Sequence, residues 1–323
     1  MHDLGFISNC LTGRFVDKLR VAHDAGYNTM EVACWPKGNQ KQCDLDADNY
    51  TTFNVFNIKF LLKQYNMKIS TLAYYDNMLE HDSTKRKQNL QHLRNVINLA
   101  SELGVPYVAT YIGQDLSLSL EDNFVQYQQI FSRLLKYAEE NNVTVLIENC
   151  PMPTWNNGLP ATISYSPEFW NRMFELLPNK NYGLNLDVSH LYWLHIDVLK
   201  AIEDYSNRIY SIHVKDVTLK QNNEGRYGIY GKALDRNNPK DFGYYQPTLP
   251  GYGDIKWEKV MCKLDEVGFD GPFQVEYKNS NGYGRIVSTE KGLKLSADYL
   301  KCILENRSKI GSDSTKLKRV VNL

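Results

Sequence analysis

Short runs of β-forming residues alternate with longer amphipathic runs along almost the whole chain of 323 residues. Eight of the short runs are predicted as strands, and a helical segment follows each of them. The predicted strands are Asp3–Ser8, Thr29–Cys34, Lys68–Tyr74, Tyr107–Tyr111, Thr144–Asn149, Tyr182–Asp187, Arg208–Val214 and Phe273–Tyr277. The predicted helices are Phe15–Ala25, Thr52–Tyr65, Thr84–Leu103, Glu121–Asn141, Pro167–Leu177, Ile196–Asn207, Trp257–Val267 and Thr289–Leu304. Strand starts recur about every 38 residues, the length that one strand, one helix and two connections need.

This repeat favours a closed barrel of parallel strands. The run Val143–Ile147 is continuously β-forming, as expected for a strand that helices cover. Glycine stands at Gly26, Gly104 and Gly268, just after three predicted helices, where a left-handed residue commonly ends a helix. The alternative, an open doubly wound sheet, usually has a glycine-rich phosphate loop after its first strand, and Ser8–Gly13 matches neither common form of it. We therefore predict an α/β fold, a single (β/α)8 TIM barrel.

Two segments depart from the repeat. Residues 216–256, after the seventh strand, are rich in Gly, Tyr, Asn and Pro and are much longer than a usual connection. A long loop at the C-terminal end of a barrel strand is well placed to cover the mouth as a lid. Residues 307–323 are predicted as a C-terminal tail outside the barrel domain, which we assign to residues 1–306.

Composition and charge exclude several classes of protein. The 37 basic residues balance 37 acidic residues, so the chain has no global attraction to nucleic acid or anionic lipid. No apolar run approaches the ~18 residues that span a bilayer, and Met1–Gly5 lacks the basic start of a secretion signal. Six cysteines without a C-x-x-C pair are typical of reduced thiols. We expect a cytoplasmic protein that binds neither nucleic acid nor a membrane.

Ionisable residues stand at the ends of four successive predicted strands. These residues are Glu148, Asp187, His213 and Glu276. The C-terminal ends of barrel strands converge on one mouth, so we expect the four side chains to face a common point. Each one alone is better explained by an ion pair or a helix cap, but three carboxylates held so close need a neutralising cation. Three oxygen donors and one nitrogen suit Mn²⁺, Mg²⁺ or Co²⁺ with open positions for substrate, better than a closed structural zinc site.

Five sequence blocks surround these residues and the end of the long connection. The blocks are IENCPM (147–152), GLNLDVSH (183–190), IHVKD (212–216), LPGYGDIKW (249–257) and GFDGPFQVE (268–276). Together they resemble the sugar phosphate isomerase/epimerase group of xylose-isomerase-like TIM barrels. The similarity runs from the first strand to about Leu304. It implies that the four residues named above bind one divalent metal ion, commonly Mn²⁺. It also implies that His190 and Lys215 contact the substrate or polarise its oxygens.

The same superfamily contains the type IV apurinic endonucleases, whose trinuclear zinc sites need further histidines on the third and fourth strands. Here the ends of those strands are Leu72–Asp76 and Ala109–Gly113, without histidine. A function in DNA repair is further disfavoured because the chain has no basic stripe.

The predicted site suits removal of a proton next to a carbonyl group. A metal ion that bridges a ketone oxygen and the neighbouring hydroxyl acts as a Lewis acid and stabilises the enediolate. Glu148 and Glu276 are predicted catalytic carboxylates that remove and return a proton on different faces of the sugar, which gives epimerisation. His190 is predicted to bind substrate and to move a proton between oxygens, or to act as the base in an elimination. Glu31 is predicted to bind sugar hydroxyls, with a helix cap or salt bridge as its alternative role.

We therefore predict a divalent-metal-dependent sugar isomerase or epimerase that acts on a keto sugar or an oxidised glycoside. The alternative is a lyase that uses the same enediolate, such as a C-glycoside deglycosidase subunit acting on 3-keto glycosides or a keto-inositol dehydratase. A sugar-binding or scaffold protein with a retained metal is a third hypothesis. The expected partners are a small carbohydrate substrate and either further copies of the chain, in a homo-oligomer, or a small partner subunit.

Overall fold

A computed structural model of the protein describes residues 2–38, 42–231, 243–277 and 288–310. Its strands are β1 (Leu4–Phe6), β2 (Thr29–Ala33), β3 (Lys68–Ala73), β4 (Tyr107–Thr110), β5 (Thr144–Glu148), β6 (Tyr182–Asp187), β7 (Ile209–Val214), β8 (Asp216–Leu219), β9 (Tyr245–Thr248) and β10 (Phe273–Val275). Its helices are α1 (Phe15–Ala25), α2 (Thr52–Gln64), α3 (Ser83–Leu103), α4 (Leu120–Glu140), α5 (Pro167–Leu176), α6 (Val188–Trp193), α7 (Val198–Asp204), α8 (Gln221–Tyr227), α9 (Trp257–Glu266) and α10 (Thr289–Ile310).

Eight parallel strands, all of those above except β8 and β9, form one nearly closed barrel that the helices surround. Strands that follow one another in the chain lie next to one another in the sheet, and β10 lies between β7 and β1. A parallel bridge between Ile7 and Glu31 connects the two ends of the sheet. The predicted (β/α)8 TIM barrel is confirmed.

Local sequence signals set several of the helix ends. Gly26 and Gly104 follow α1 and α3 with φ values of 81° and 73°, the left-handed conformation that the sequence predicts for them. Thr51 caps the start of α2 by accepting a hydrogen bond from the Asn54 backbone N–H. These ends agree with the predicted bounds to within one residue.

Three segments differ from the predicted pattern. A short helix, α6, directly follows β6, because the Asp187 carboxylate accepts a hydrogen bond from the Ser189 backbone N–H and caps it. The predicted long connection 216–256 contains α8 and an antiparallel pair formed by β8 and β9, while residues 232–242 lie outside the described residues. Helix α10 continues to Ile310, and the rest of the predicted tail, residues 311–323, also lies outside them.

The alternation of side chains along each strand separates an apolar layer from a polar interior. Val145 and Ile147 of β5 are fully buried beneath the helices, whereas Glu148 at the strand end faces the barrel interior. On neighbouring strands, buried polar residues occupy the alternate positions that face the barrel interior. They include Glu31, Asn185, Asp187, Ser211, His213 and Gln274. In the part of the chain that the structure describes, no helix is both long and apolar enough to cross a membrane.

Candidate active site

The four side chains predicted to bind metal lie together at the C-terminal mouth of the barrel. One potential ligand atom from each lies within 4.8 Å of those of the other three. The four residues are Glu148 at the end of β5, Asp187 at the end of β6, His213 in β7 and Glu276 just after β10. The first three are buried and Glu276 is partly exposed. Strand ends far apart in the chain thus converge as expected, and the role of the four residues as metal ligands stays a prediction.

The Glu31 carboxylate orients the His213 ring from the side that faces away from the barrel mouth. The His213 Nε2 atom lies 3.1 Å from Glu31 Oε2 and 2.8 Å from Asn185 Nδ2. Because a carboxylate only accepts hydrogen bonds, the contact with Glu31 places the ring proton on Nε2, and Asn185 Nδ2 then donates to Glu31 and not to the ring. The other ring nitrogen, Nδ1, is buried without a hydrogen-bond partner and lies 3.7 Å from Glu148 Oε1. Burial lowers the pKa of His213, but the Glu31 and Glu148 carboxylates outweigh burial and hold this pKa well above its usual value.

Glu31 itself is fully buried on β2, and its two oxygens are occupied. Besides His213, it accepts hydrogen bonds from the Tyr75 hydroxyl at 2.6 Å and from Asn185 Nδ2 at 3.2 Å. This placement corrects the predicted contact of Glu31 with sugar hydroxyls, because a buried carboxylate with three partners cannot reach a substrate. The alternative, a salt-bridge role, describes Glu31 better. A carboxylate that holds the far nitrogen of a histidine is a common support for a metal ligand.

The Asp187 carboxylate has one oxygen in use and one available. Its Oδ1 atom accepts hydrogen bonds from the backbone N–H of Ser189 at 2.8 Å and from the hydroxyl of the same residue at 2.6 Å. Its Oδ2 atom is buried without a hydrogen-bond partner, although the charged groups of His190 and Lys215 lie 3.2 and 3.7 Å away. Asp187 Oδ2 and His213 Nδ1 are thus two buried ligand atoms that a cation would satisfy.

His190 lies on α6, beside the acidic cluster. Its Nε2 atom is 3.2 Å from Asp187 Oδ2, and its Nδ1 atom accepts a hydrogen bond from Trp193 Nε1 at 3.1 Å. Burial lowers the pKa of His190, but Asp187 and neighbouring acidic groups outweigh burial and raise it to about 10. A cation among the carboxylates would cancel much of their field, and the Trp193 donor then favours a neutral ring with its proton on Nε2.

Lys215 places a positive charge against the same carboxylates. Its Nζ atom lies 3.1 Å from Glu276 Oε2 and 3.7 Å from Asp187 Oδ2. The side chain is 15% exposed, so these contacts are only weakly screened by solvent. Lys215 therefore offsets part of the negative charge of the cluster.

A cavity of about 720 Å³ opens beside the cluster. Glu148, His213 and Glu276 line it, while His190 and Lys215 do not. Its other lining residues include the aromatic side chains of Trp35, Tyr75, Tyr111 and Trp155. The volume is in the range of small-molecule sites, and aromatic walls suit the apolar faces of a sugar ring.

Asp216 organises the segment between β9 and α9. Its carboxylate accepts hydrogen bonds from the backbone N–H groups of Val217, Gly251, Gly253 and Ile255 and from Trp257 Nε1, at 2.9 to 3.3 Å. Burial raises the pKa of Asp216 to about 6, although these donors act in the opposite direction. Gly253 is required here, because a Cβ atom at this position would clash with the Asp216 carboxylate. The LPGYGDIKW block is therefore folded around one buried acid.

A comparison of the chain with models of known protein families agrees with the observed TIM barrel. Residues 19–302 match the model of the xylose isomerase-like TIM barrel family. The chain belongs to this family. The resemblance predicted from the sequence blocks is thereby confirmed.

Individual relatives of this xylose isomerase-like barrel are distant. The uncharacterized protein YfiH of Bacillus subtilis (strain 168) is 22% identical over 313 residues, covering 89% of this chain and 94% of the relative. An inosose dehydratase of Clostridium perfringens (strain 13 / Type A) is 27% identical over 116 residues, covering 36% and 37%. The solved structure of an L-ribulose 3-epimerase covers 98% of both chains with a TM-score of 0.73 at 14% identity, which is a likeness of fold.

The structure adds several residues to the site that the sequence does not predict. Tyr75 and Tyr111 lie just beyond β3 and β4 and line the cavity. Asn185 donates a hydrogen bond to Glu31, and Trp193 donates one to His190. The two tyrosines could be found from their places after strand ends, in line with Glu148 and Asp187. Asn185 carries no such signal, because its role depends on a contact between distant strands of the xylose isomerase-like barrel. Trp193 lies three residues after His190 on α6, a spacing that brings two side chains together on one face of a helix.

Proposed function

We propose that this protein is a divalent-metal-dependent enzyme that isomerises or epimerises a keto sugar or an oxidised glycoside. The observation that carries the proposal is the convergence of three carboxylates and one imidazole within 4.8 Å, beside a cavity of about 720 Å³. Membership of the xylose isomerase-like family and the fold shared with an L-ribulose 3-epimerase support it.

The residues present fit a divalent cation. Asp187 Oδ2 and His213 Nδ1 are buried without hydrogen-bond partners, and both are ligand types that Mn²⁺ accepts. Glu148 and Glu276 would complete the set, with Mg²⁺, Co²⁺ or Zn²⁺ as alternatives to Mn²⁺. When bound, such a cation supplies Lewis acidity to a carbonyl oxygen and the hydroxyl next to it.

Glu148 and Glu276 are the groups we propose to move the proton. Burial raises the pKa of Glu148, but His190 and His213 outweigh burial and hold it below its usual value, so Glu148 is ionised and can accept a proton. Glu276 also lines the cavity and is 20% exposed, with the Lys215 ammonium group at 3.1 Å. One carboxylate takes the proton next to the carbonyl and the other returns a proton on the opposite face, which inverts the carbon.

His190 is proposed to act on the substrate oxygens. With Nδ1 accepting from Trp193, a neutral His190 has its proton on Nε2, the nitrogen that faces Asp187 and Glu148. A proton on that nitrogen can be shared with a sugar oxygen held over the carboxylates, which is the transfer that interconverts an aldose and a ketose. Lys215 is proposed to stabilise negative charge on the same oxygens.

A lyase is the second candidate, favoured by the partial similarity to an inosose dehydratase. The first step is the same removal of a proton next to a ketone by Glu148 or Glu276. The reaction then differs because a β-hydroxyl group leaves as water, with its proton supplied by a general acid such as His190. The two candidates therefore share a site and differ in the fate of the carbanionic intermediate.

We also propose a cytoplasmic location and association with further copies of the chain or with a small partner subunit. All six cysteines are free, which agrees with a reducing compartment. Size-exclusion chromatography with light scattering on protein purified from its native source would measure the assembly.

The test is deuterium exchange in D₂O with Mn²⁺-loaded protein and a panel of keto sugars, 3-keto glycosides and inososes. We expect deuterium at the carbon next to the ketone, with loss of the exchange after treatment with a chelator and recovery with Mn²⁺. Glu148→Gln should abolish the exchange, and the matched control Glu121→Gln, an exposed residue of α4, should not. An epimer or aldose as product would identify the isomerase, and an unsaturated ketone would identify the lyase. No exchange with any compound, or full activity of Glu148→Gln, would contradict the proposal.

A further inference from the structure

We propose that Cys34 and Cys43 form a redox modification site, in which the two thiols join in a reversible disulfide when a peroxide oxidises the protein. Both cysteines are free, and they face each other in an antiparallel bridge at the mouth end of β2. The proposal concerns a pair of thiols outside the acidic cluster and does not depend on the presence of a metal ion.

The backbone places the two cysteines at a distance that a disulfide can span. The hydrogen bond from the Asp44 N–H to the Ala33 carbonyl, at 2.9 Å, flanks the bridge, so Cys34 and Cys43 form a pair that exchanges no backbone hydrogen bonds. In such pairs the Cα atoms lie about 4.5 Å apart and the side chains project from the same face. Disulfides join Cα atoms that are about 4.4 to 6.8 Å apart, so oxidation needs rotation of the side chains and little movement of the backbone.

Both sides of the bridge are held before any oxidation. The Cys34 N–H donates to the Ala73 carbonyl at 2.9 Å, and the Cys34 carbonyl accepts from His92 Nε2 at 2.7 Å. On the other side, Asp44 follows Cys43 and is held by the Lys18 ammonium group at 2.6 Å. The backbones of the two cysteines are therefore held beside each other in the reduced protein. The Cys34 thiol donates to the Val32 carbonyl, with Sγ and O 3.6 Å apart, and the Cys43 thiol donates to the Leu45 carbonyl at 3.3 Å, so both side chains rotate before the S–S bond forms.

The two thiols differ in exposure, and this difference sets the order of the reaction. Cys43 is partly exposed and Cys34 is fully buried, so peroxide reaches Cys43 first. The Cys43 thiolate attacks one peroxide oxygen, the O–O bond breaks, and Cys43 becomes a sulfenic acid with release of water. The Cys34 sulfur then attacks the Cys43 sulfur, the S–S bond forms, and a second water leaves. Two thiols thus lose two electrons and two protons, and one hydrogen peroxide becomes two waters.

The environment of Cys43 makes the reaction slow at neutral pH. Burial and the neighbouring carboxylates of Asp46 and Asp44 raise the pKa of Cys43 to about 11. Only the thiolate reacts, so the oxidation rate is expected to rise about tenfold per pH unit until the pH approaches this value.

The disulfide would connect two parts of the cavity wall. Trp35 follows Cys34 in the chain, Gln42 precedes Cys43, and both side chains line the cavity beside the acidic cluster. Oxidation would therefore fix the spacing of two wall segments, and a change in substrate affinity would follow. This consequence rests on the proposed function, whereas formation of the disulfide does not.

The test is peptide mapping of the full chain after treatment with hydrogen peroxide and blocking of the remaining thiols. Trypsin places Cys34 in the peptide 21–37 and Cys43 in the peptide 42–59. We expect these two peptides to appear joined, with the mass of two hydrogen atoms lost, and to separate on reduction. The yield at a fixed time should rise about tenfold per pH unit.

Matched variants separate this result from non-specific oxidation. Cys43→Ser should abolish the joined peptides, whereas Cys262→Ser, at an exposed cysteine of α9, should leave them unchanged. Oxidation of Cys262 in the parent protein without any joined 34–43 product would overturn the proposal, as would a Cys43 that only reaches the sulfinic acid. Neither result bears on metal binding or deuterium exchange, so this proposal and the proposed function fail independently.

Discussion

Replacing Glu31 by Gln tests whether the buried carboxylate prepares His213 as a metal ligand. In the parent protein, Glu31 accepts the proton of His213 Nε2 and leaves Nδ1 facing the cluster. The introduced glutamine amide has nearly the same size as the carboxylate, but its N–H groups can donate to His213 Nε2. That contact would place the ring proton on Nδ1, the nitrogen that a metal needs.

The size of the effect follows from two opposing terms. Loss of a supporting partner behind a metal-ligating histidine typically weakens metal binding by about 10- to 100-fold, or roughly 1.4 to 2.7 kcal/mol. The Glu31 carboxylate also raises the pKa of His213, so its removal reduces the competition between protons and metal for this residue. The reduced competition from protons offsets part of the loss of support for His213. We therefore expect Glu31→Gln to weaken Mn²⁺ binding by about tenfold, at the lower end of the 10- to 100-fold range.

Isothermal titration of the purified full chain with Mn²⁺ would measure this change. Glu121→Gln is the matched control, because Glu121 is an exposed acid of α4 that pairs with Arg172. Thermal unfolding of the metal-free proteins would show that Glu31→Gln remains folded. Unchanged Mn²⁺ affinity in a folded Glu31→Gln variant would refute the role of Glu31, and with it the assignment of His213 Nδ1 as a ligand atom.

Three further predictions concern stability and turnover. Lys18→Met should lower the free energy of unfolding by about 3 to 5 kcal/mol in urea titrations, because the buried Asp44 carboxylate loses its charged partner and keeps only the Ser8 hydroxyl. The exposed control Lys59→Met should change this free energy little, and equal effects of the two variants would argue against the ion pair. Asp216 has a pKa of about 6 in the folded protein against an ordinary value of 3.8, so its stabilising contribution is present below about pH 4 and is lost as the pH rises through about 6. The stability of the parent relative to Asp216→Asn should therefore fall by about 3 kcal/mol over that interval, and a rise would contradict the raised pKa. Trp193→Phe removes the donor to His190 Nδ1 and should lower the rate of deuterium exchange roughly tenfold with little change in Mn²⁺ affinity; a parallel loss of both would indicate a general disturbance of the mouth.

The convergence of the acidic cluster was predictable because barrel geometry is simple. Parallel strands of a closed barrel end at one mouth, and side chains alternate between the helix layer and the interior. Glu148 and Asp187 are the last residues of their strands, and Glu276 follows the last residue of β10. The order of the elements along the chain was therefore enough to place these groups near one another.

The prediction for Glu31 failed because depth within the barrel depends on strand register. Glu31 lies in the middle of β2, at an irregularity in its pairing with β3, and it is bridged to Ile7. This position is below the mouth, where the carboxylate meets Tyr75 and His213 and not solvent. Neither the register nor the irregularity leaves a mark in the residues of β2 themselves.

The sequence by itself determined the alternation of strands and helices, the identity of the acidic groups and the end of the barrel at which they stand. These features are local, since they follow from side-chain periodicity and from the order of residues along the chain. The tertiary structure decided which nitrogen of His213 faces the cluster and that Cys34 faces Cys43. Such contacts join residues from separate strands and loops at distances of a few ångströms, and only packing in three dimensions fixes distances of that size.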